Sequence, residues 1–293
     1  MAEIFDRVAI IGIGLIGSSI ARALKEHGVC REIVVGDINE AHGKRALALD
    51  LCAAAHADVA TAAAGADLVI LCTPMSTYES IAEKIAPVLK QGAIVTDVGS
   101  VKQAATKAVK PRLPDHARWL AGHPVAGTEN SGPDAGFAAL FKGRWCILTP
   151  EADTDPEAQA KVQAMWAAFG SNVVTMDAEH HDLVLAITSH LPHLIAYTIV
   201  GTATDLETTL QSEVIKFSAG GFRDFTRIAA SDPIMWRDVF LNNREAVLEM
   251  LQRFSEDLSH LQRAIRWGEG DKLEELFTRT RSIRRSIIEA KQA

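Results

Sequence analysis

The chain has 293 residues, 48% hydrophobic and 23% charged, which is the make-up of a soluble globular protein of about two domains and excludes a disordered, collagenous or disulfide-stapled chain. Thirty Lys and Arg against thirty-seven Asp and Glu give a formal net charge of -7, so the surface offers no electrostatic footprint for nucleic acid, and an anionic ligand needs a local basic site. The four cysteines, Cys30, Cys52, Cys72 and Cys146, lack C-x-x-C spacing; neither a zinc site nor a disulfide framework is expected, and a reducing cytoplasm is the expected compartment.

Glu3, Asp6 and Arg7 stand directly before the first apolar run, in place of the basic, apolar and small-residue order of an export signal. From Arg7 to Asp177 short apolar runs alternate with helical patterns, the rhythm of a parallel sheet covered by helices. The predicted strands are Val8–Ile13, Ile33–Asp37, Leu68–Thr73, Ile94–Val98, Trp119–Gly122, Trp145–Thr149 and Val173–Met176, most of them apolar enough to be buried on both faces. Beyond the Ala-rich stretch from Ala53 to Ala66 no repeat or low-complexity segment stands out.

After Asp177 the strand signals stop and the rest reads as helices. Leu183 to Gly201 has the apolarity of a membrane span, but Ser189, His190, Pro192 and His193 interrupt it, and it is read as a buried helix. From Asp232-Pro233, an N-cap followed by Pro at the first helical position, apolar residues recur at Phe240, Val247, Leu251, Phe254, Leu258, Leu261 and Ile265. That spacing predicts one long helix whose stripe needs a partner, from this chain or from a second subunit. Gly268 and Gly270 end it, Asp271-x-x-Glu274 caps the next helix, and Arg279, Arg281, Arg284 and Arg285 form a solvated face.

Gly12-x-Gly14-x-x-Gly17 follows the first strand and opens a helical segment, Ser18 to Glu26. The first glycine permits a tight turn, the second lets backbone approach a pyrophosphate, the third allows close helix–strand packing, and the helix N-terminus supplies N–H donors. Asp37, at the end of the second strand, is placed to accept from the ribose hydroxyls and to repel a 2′-phosphate, so NAD is expected over NADP, with Lys44 or Arg45 the cations that would soften the exclusion. The expected fold is therefore an N-terminal Rossmann-type α/β domain over residues 1–177 and an all-α C-terminal domain over 178–293.

Three clusters lie outside the glycine turn. Asp97-Val-Gly-Ser100-Val-Lys102 sits at a strand's carboxyl end, where ligands bind; Ser100-x-x-Gln103 also reads as a capping box. Gly122-His123-Pro124 through Glu129 offers an imidazole that can take a hydroxyl proton near neutral pH. In Thr188-Ser189-His190-Leu191-Pro192-His193, helical spacing puts Asp182, Ser189 and His193 on one face, and Pro192 frees the Thr188 carbonyl and bends the helix. No metal is expected there, because His190 and His193 straddle Pro192 without an H-x-x-x-H register. Arg223 and Arg227, four apart and on one face if helical, are either carboxylate ligands or ordinary salt-bridge partners.

Taken together, Gly12-Ile-Gly14-Leu-Ile-Gly17-Ser18, the Asp97–Lys102 and Gly122–Glu129 segments, His181-Asp182, Ser189-His190-Leu-Pro-His193 and Gly221-Phe-Arg223-Asp-Phe-Thr-Arg227 with Trp236 resemble the prephenate and arogenate dehydrogenases of tyrosine biosynthesis over nearly the full length. The resemblance implies a bilobal protein with an active site between the lobes, a helical dimerisation domain forming a homodimer, and NAD-dependent oxidative decarboxylation of prephenate, arogenate or both. It implies that His123 is the catalytic histidine, that Ser100 orients it, that Arg227 binds a substrate carboxylate, that Ser189 and His193 line the substrate pocket and that Glu129 is a gating acid; Arg223 stands where the family also uses Lys. Leu15, Ile16 and Thr73 join Gly12, Gly14, Gly17 and Asp37 as expected cofactor contacts. No fused regulatory domain is expected, so any feedback by tyrosine would act at the catalytic site. The competing readings are a 2-hydroxy or 3-hydroxy acid dehydrogenase of the same plan and a nucleotide-sensing regulator without turnover.

Overall fold

A computed structural model describes residues 3–205, 213, 216 and 220–289. Apolar runs form the strands β1 (Phe5–Ile11), β2 (Cys30–Gly36), β3 (Ala54–His56), β4 (Leu68–Leu71), β5 (Ile94–Asp97), β6 (Arg118–Pro124), β7 (Trp145–Thr149) and β8 (Asn172–Thr175). They make one sheet in the order β3-β2-β1-β4-β5-β6-β7-β8. Alternate side chains of β1 feed opposite faces: Val8 and Ile10 enter one core cluster, Ala9 and Ile11 the other. Helices α1 (Leu15–His27) and α6 (Pro156–Ala168) contribute Ile20, Leu24, Val162 and Trp166 to the first cluster. α3 (Val59–Ala63), α4 (Tyr78–Ile85) and α5 (Lys102–Val109) contribute Ala62, Tyr78, Ile85 and Val109 to the second. Each fully buried Leu or Ile contributes roughly 1.5–3 kcal/mol, so the sheet is held from both sides. α2 (Glu40–Ala48), capped by Asn39, follows β2.

Three strand expectations need correction. The sheet is not wholly parallel, because β7 runs antiparallel to β6, pairing Ala121 with Thr149 and His123 with Ile147. β8 is an edge strand whose residues are half-buried or exposed. β3, absent from the expected set, is three residues of the Ala-rich stretch, too short and too small-sided to show a strand pattern.

After β8 every described element is helical. α7 (Ala178–Leu185) runs into a π-helical turn, Ala186–His190, and then α8 (Leu191–Thr204). The expected bend is therefore a π turn immediately before Pro192. The expected buried helix is instead two-sided: Leu185, Ala186, His190, Leu191 and Ala196 are buried, whereas Leu183, Ile187 and Ile199 are exposed. Ala178–Thr204 is long and apolar enough to cross a membrane by length and composition alone; its buried Asp182 and His190 are bonded to protein groups.

α9 (Gly220–Thr226) precedes a 3-10 turn, Arg227–Ala230, so Arg223 and Arg227 do not share one continuous helix. Asp232 caps α10 (Pro233–Asn242), accepting from the N–H of Ile234 and Met235, each at 2.9 Å, with Pro233 in the first turn. The long helix expected from there is broken at Asn243, whose buried side chain leaves the helical path to bond the Asp182 carbonyl at 2.8 Å. α11 (Arg244–Trp267) carries the rest of the stripe and ends at Gly268, φ +67°. α12 (Gly270–Glu289) starts before Asp271, which therefore lies in the first turn instead of capping it.

Compactness divides the chain into Met1–Arg244 and Glu245–Ala293, whereas the change from strands to helices falls near Asp177. In the second unit Leu258, Ile265, Phe277 and Ile283 are exposed, and Phe254, Leu261, Leu273 and Leu276 line a groove of about 570 Å³ between α11 and α12.

Candidate active site

The order of β1, β4, β5 and β6 aligns four carboxyl ends, and the segments that follow them line one cavity of about 400 Å³. Gly14, Leu15 and Ile16 come from the turn after β1, Thr73 from the end of β4, Ser100 from the end of β5, and His123 and Glu129 from β6 and its loop. Ser231, Asp232 and Met235 close another side.

The glycine turn is built by contacts that exclude side chains. Gly12 has φ +95°, and a Cβ there would lie 2.8 Å from Thr73 Cγ2 and 2.9 Å from the Cys72 carbonyl. A Cβ on Gly17 would stand 2.1 Å from the Gly12 oxygen. Gly14, the N-cap of α1, has open space instead and no side-chain cap, so the first N–H groups of α1 are left to a ligand. This cradle fits a pyrophosphate. Asp37 accepts from the N–H of Ile13 at 3.0 Å and of Asn39 at 2.9 Å, so it also fixes the turn. Gly12, Gly17 and Asp37 shape this turn without lining the cavity. Lys44 is paired with Glu40, and Arg45 holds Asp134 through Nε at 2.9 Å and Nη2 at 2.5 Å.

Below Ser100 and His123 lies a buried ion pair. Lys102 Nζ donates to Asp97 Oδ2 at 2.5 Å and to the Gly122 carbonyl at 2.6 Å, while Asp97 Oδ1 accepts from Gly122 N at 3.0 Å. The pair continues the β5–β6 connection beyond Thr96 and Leu120, the last paired residues of the two strands. Burial lowers the Lys102 pKa against the opposing pull of Asp97. Ser100 does not cap α5: no side chain of its own segment does, and Asp182 of α7 accepts from Lys102 N at 2.7 Å and Gln103 N at 3.0 Å. The expected capping box is therefore replaced by a carboxylate from another helix.

His123 is buried, and its Nδ1 lies 2.9 Å from His181 Nε2; His181 Nδ1 lies 2.8 Å from Asp182 Oδ1. Burial pushes the His123 pKa well below the usual value, with His181, Lys102 and His190 acting the same way, so the ring is a neutral base at neutral pH. Asp182 points to this cluster and the α5 terminus and does not share a ligand face with Ser189 and His193. His193 Nδ1 donates to the Ser189 carbonyl at 2.8 Å, and its ring stacks on Trp236 with centroids 3.6 Å apart. His190 is buried and accepts from Asn243 at 3.1 Å. Arg227 pairs with Glu129 at 3.1 Å, at the edge of the cavity that Glu129 lines. Arg223 is 76% exposed, pairs with Asp224 at 3.7 Å and lies outside the cavity lining. The sequence reading assigned no role to His181, Lys102 or Asp97; only the adjacency of His181 to Asp182 and the Asp97–Lys102 spacing signalled them.

The pattern described as "Prephenate dehydrogenase, nucleotide-binding domain" matches residues 20–175, and "Prephenate dehydrogenase, dimerization domain" matches residues 177–279. The chain belongs to the prephenate dehydrogenase family. Within it, the chain is 44% identical over 286 residues to a cyclohexadienyl dehydrogenase of Zymomonas mobilis, covering 97% of each. The structure of a prephenate dehydrogenase from A. aeolicus in complex with hydroxyphenyl propionate and NAD+ superposes with a TM-score of 0.89 at 35% identity, over 96% of this chain and 98% of that one. A Synechocystis arogenate dehydrogenase gives 0.79 at 27% identity, over 95% and 98%. In this prephenate dehydrogenase family member the glycine turn lies ahead of the matched nucleotide-binding segment.

Proposed function

We propose that the protein oxidatively decarboxylates prephenate, arogenate or both with NAD, as a homodimeric enzyme of tyrosine biosynthesis in the cytoplasm. The observation that carries this reading is the placement of His123 in the wall of the cavity that also holds the uncapped N-terminus of α1. Bound on that terminus, NAD supplies the hydride acceptor. Asp37 would accept from a ribose of the bound dinucleotide, and the engagement of Lys44 by Glu40 and of Arg45 by Asp134 supports NAD over NADP. His123, neutral, accepts the ring-hydroxyl proton as hydride departs. Ser100 orients that hydroxyl. Arg227 offers a planar pair of donors to a substrate carboxylate, and its bond to Glu129 closes the cavity edge until substrate exchanges for it. Ser189 and His193 are assigned to the substrate side of the site from beyond the residues that line the cavity, with His193 held in place by Trp236. Arg223 is left out of this set.

Residues 1–177 serve the dinucleotide and residues 178–293 the substrate and the dimer. The match of 177–279 to a dimerization domain and the exposed stripe of Leu258, Ile265, Phe277 and Ile283 support the homodimer.

The test is to supply each acid with NAD and then NADP and follow reduced nicotinamide. His123→Asn is expected to lower kcat by roughly 10²–10⁴ with cofactor affinity unchanged, and Arg227→Ala to raise KM. Inertness toward both acids, or turnover of a simple aliphatic hydroxy acid instead, overturns the reading.

A further inference from the structure

The inward face of His123 is bonded as deliberately as its outward face is open. Among the described residues the side-chain hydrogen bond of His123 is made through Nδ1, and the ring lines the cavity. Nδ1 meets His181 Nε2 at 2.9 Å, the two rings edge-on at 67°, and His181 Nδ1 meets Asp182 Oδ1 at 2.8 Å. His181 and Asp182 are 0% and 1% exposed.

The protons in this chain follow from its inner end. The Asp182 carboxylate accepts only, and it already receives the N–H groups of Lys102 and Gln103. The hydrogen between Asp182 and His181 therefore sits on His181 Nδ1. Burial disfavours a charged His181, and the Lys102 ammonium opposes a second positive charge beside it. A neutral His181 carries one proton, so its Nε2 is bare and accepts. The hydrogen between the rings then belongs to His123 Nδ1, and His123 Nε2 presents a lone pair to the cavity. The charged and titratable groups facing the two rings are Lys102 of α5, Asp97 of β5, Asp182 of α7 and His190 of the π turn.

We infer that His181 and Asp182 are positioning residues that hold His123 as its Nδ1–H tautomer, with Nε2 the proton acceptor for the substrate hydroxyl. The inference rests on the reading of His123 as general base. In that reaction the C–H electron pair leaves as hydride to the nicotinamide while the hydroxyl proton moves to Nε2. The ring carboxylate then departs as carbon dioxide, its C–C pair completes the aromatic ring, and the proton returns from Nε2 to the phenol oxygen. The proton is borrowed and given back at one nitrogen. Between those steps the His123 imidazolium is steadied by its Nδ1–H bond to His181, whose orientation Asp182 fixes.

The experiment is long-range ¹H–¹⁵N NMR on the histidine-labelled protein with NAD bound, the His123 and His181 signals assigned by their absence in His123→Asn and His181→Phe. The expected result near neutral pH is a protonated Nδ1 and an unprotonated Nε2 on His123; protonation of Nε2 instead overturns the inference. This readout needs no substrate, so failure of the proposed activity is seen separately. Kinetically, His181→Phe is expected to lower kcat by about 10–10²-fold, part of the general-base contribution, at unchanged NAD affinity. His181→Gln, whose amide oxygen accepts the same Nδ1 hydrogen, should recover most of that loss. Equal kcat in the Phe variant and the unsubstituted enzyme, or no recovery in the Gln variant, contradicts the positioning role.

Discussion

Asp182 caps a helix that begins at Lys102, 80 residues earlier in the chain, through bonds of 2.7 Å to Lys102 N and 3.0 Å to Gln103 N. The same carboxylate orients His181 and so reaches His123. One side chain thus ties the start of α5, which follows Ser100, to the end of β6, which bears His123. The two walls of the cavity cannot shift independently while that bond set holds.

Loss of the cap should be visible in stability. Asp182→Ala removes two charge-assisted bonds to backbone N–H groups in a buried setting and is expected to destabilise by about 2–3 kcal/mol. Gln103→Ala, which would break a local capping box, should change stability by less than about 0.5 kcal/mol, because α5 has no cap from its own segment. Urea unfolding midpoints of the two variants check both numbers, and a larger effect at Gln103 than at Asp182 would contradict the structure.

What could be read along the chain was what is decided locally. The glycine turn was legible because Gly12 needs a positive φ and Gly17 has no room for a Cβ, both within six residues of sequence. The N-cap at Asp232 and the Pro at 233 were legible for the same reason. The Asp182 cap was not, since Ser100-x-x-Gln103 offered a nearer solution and only tertiary packing brings α7 to α5. Nor was the reversal of β7, because an apolar run looks alike in either direction. The helix break at Asn243 depends on where Asp182 and His190 lie, and neither is near it in sequence. Pro192 marked the right place for a distortion, but not its π form. For the site, His123, Ser100 and Glu129 line one cavity, whereas Arg223, Arg227, Ser189 and His193 are not among its lining residues.

The Lys102–Asp97 pair gives a second prediction. Both side chains are fully buried, so removing one leaves the other charge without its partner. Lys102→Met is expected to destabilise by roughly 3–5 kcal/mol. Adding Asp97→Asn should restore part of that loss, because the buried charge is gone while an oxygen remains to accept from Gly122 N. A double variant less stable than Lys102→Met alone would show that the two residues do not act as a pair. Circular dichroism melts of both variants give the comparison.

Acid should unfold the protein through its buried histidines. His190 is pushed down to about 4, chiefly by burial, with His181 and His193 acting the same way and Asp182 opposing. Its Nδ1 already accepts from Asn243, so a proton added there would set two donors against each other. A histidine depressed in the folded state contributes stability that is complete above its unfolded value of about 6.5 and is lost as pH falls below it, because the unfolded chain binds the proton first. Between that value and about 4, His190 alone should remove about 3 kcal/mol, at about 1.4 kcal/mol per pH unit. His123 and His181, both lowered by burial, steepen the loss in the same direction. Urea midpoints measured from pH 7.5 down to about 5 should therefore fall with a slope of more than one proton, and His190→Gln should flatten that slope by about one proton. Midpoints independent of pH over that interval would mean that these rings take up protons as readily in the folded protein as in the unfolded chain, contrary to the burial that holds them neutral.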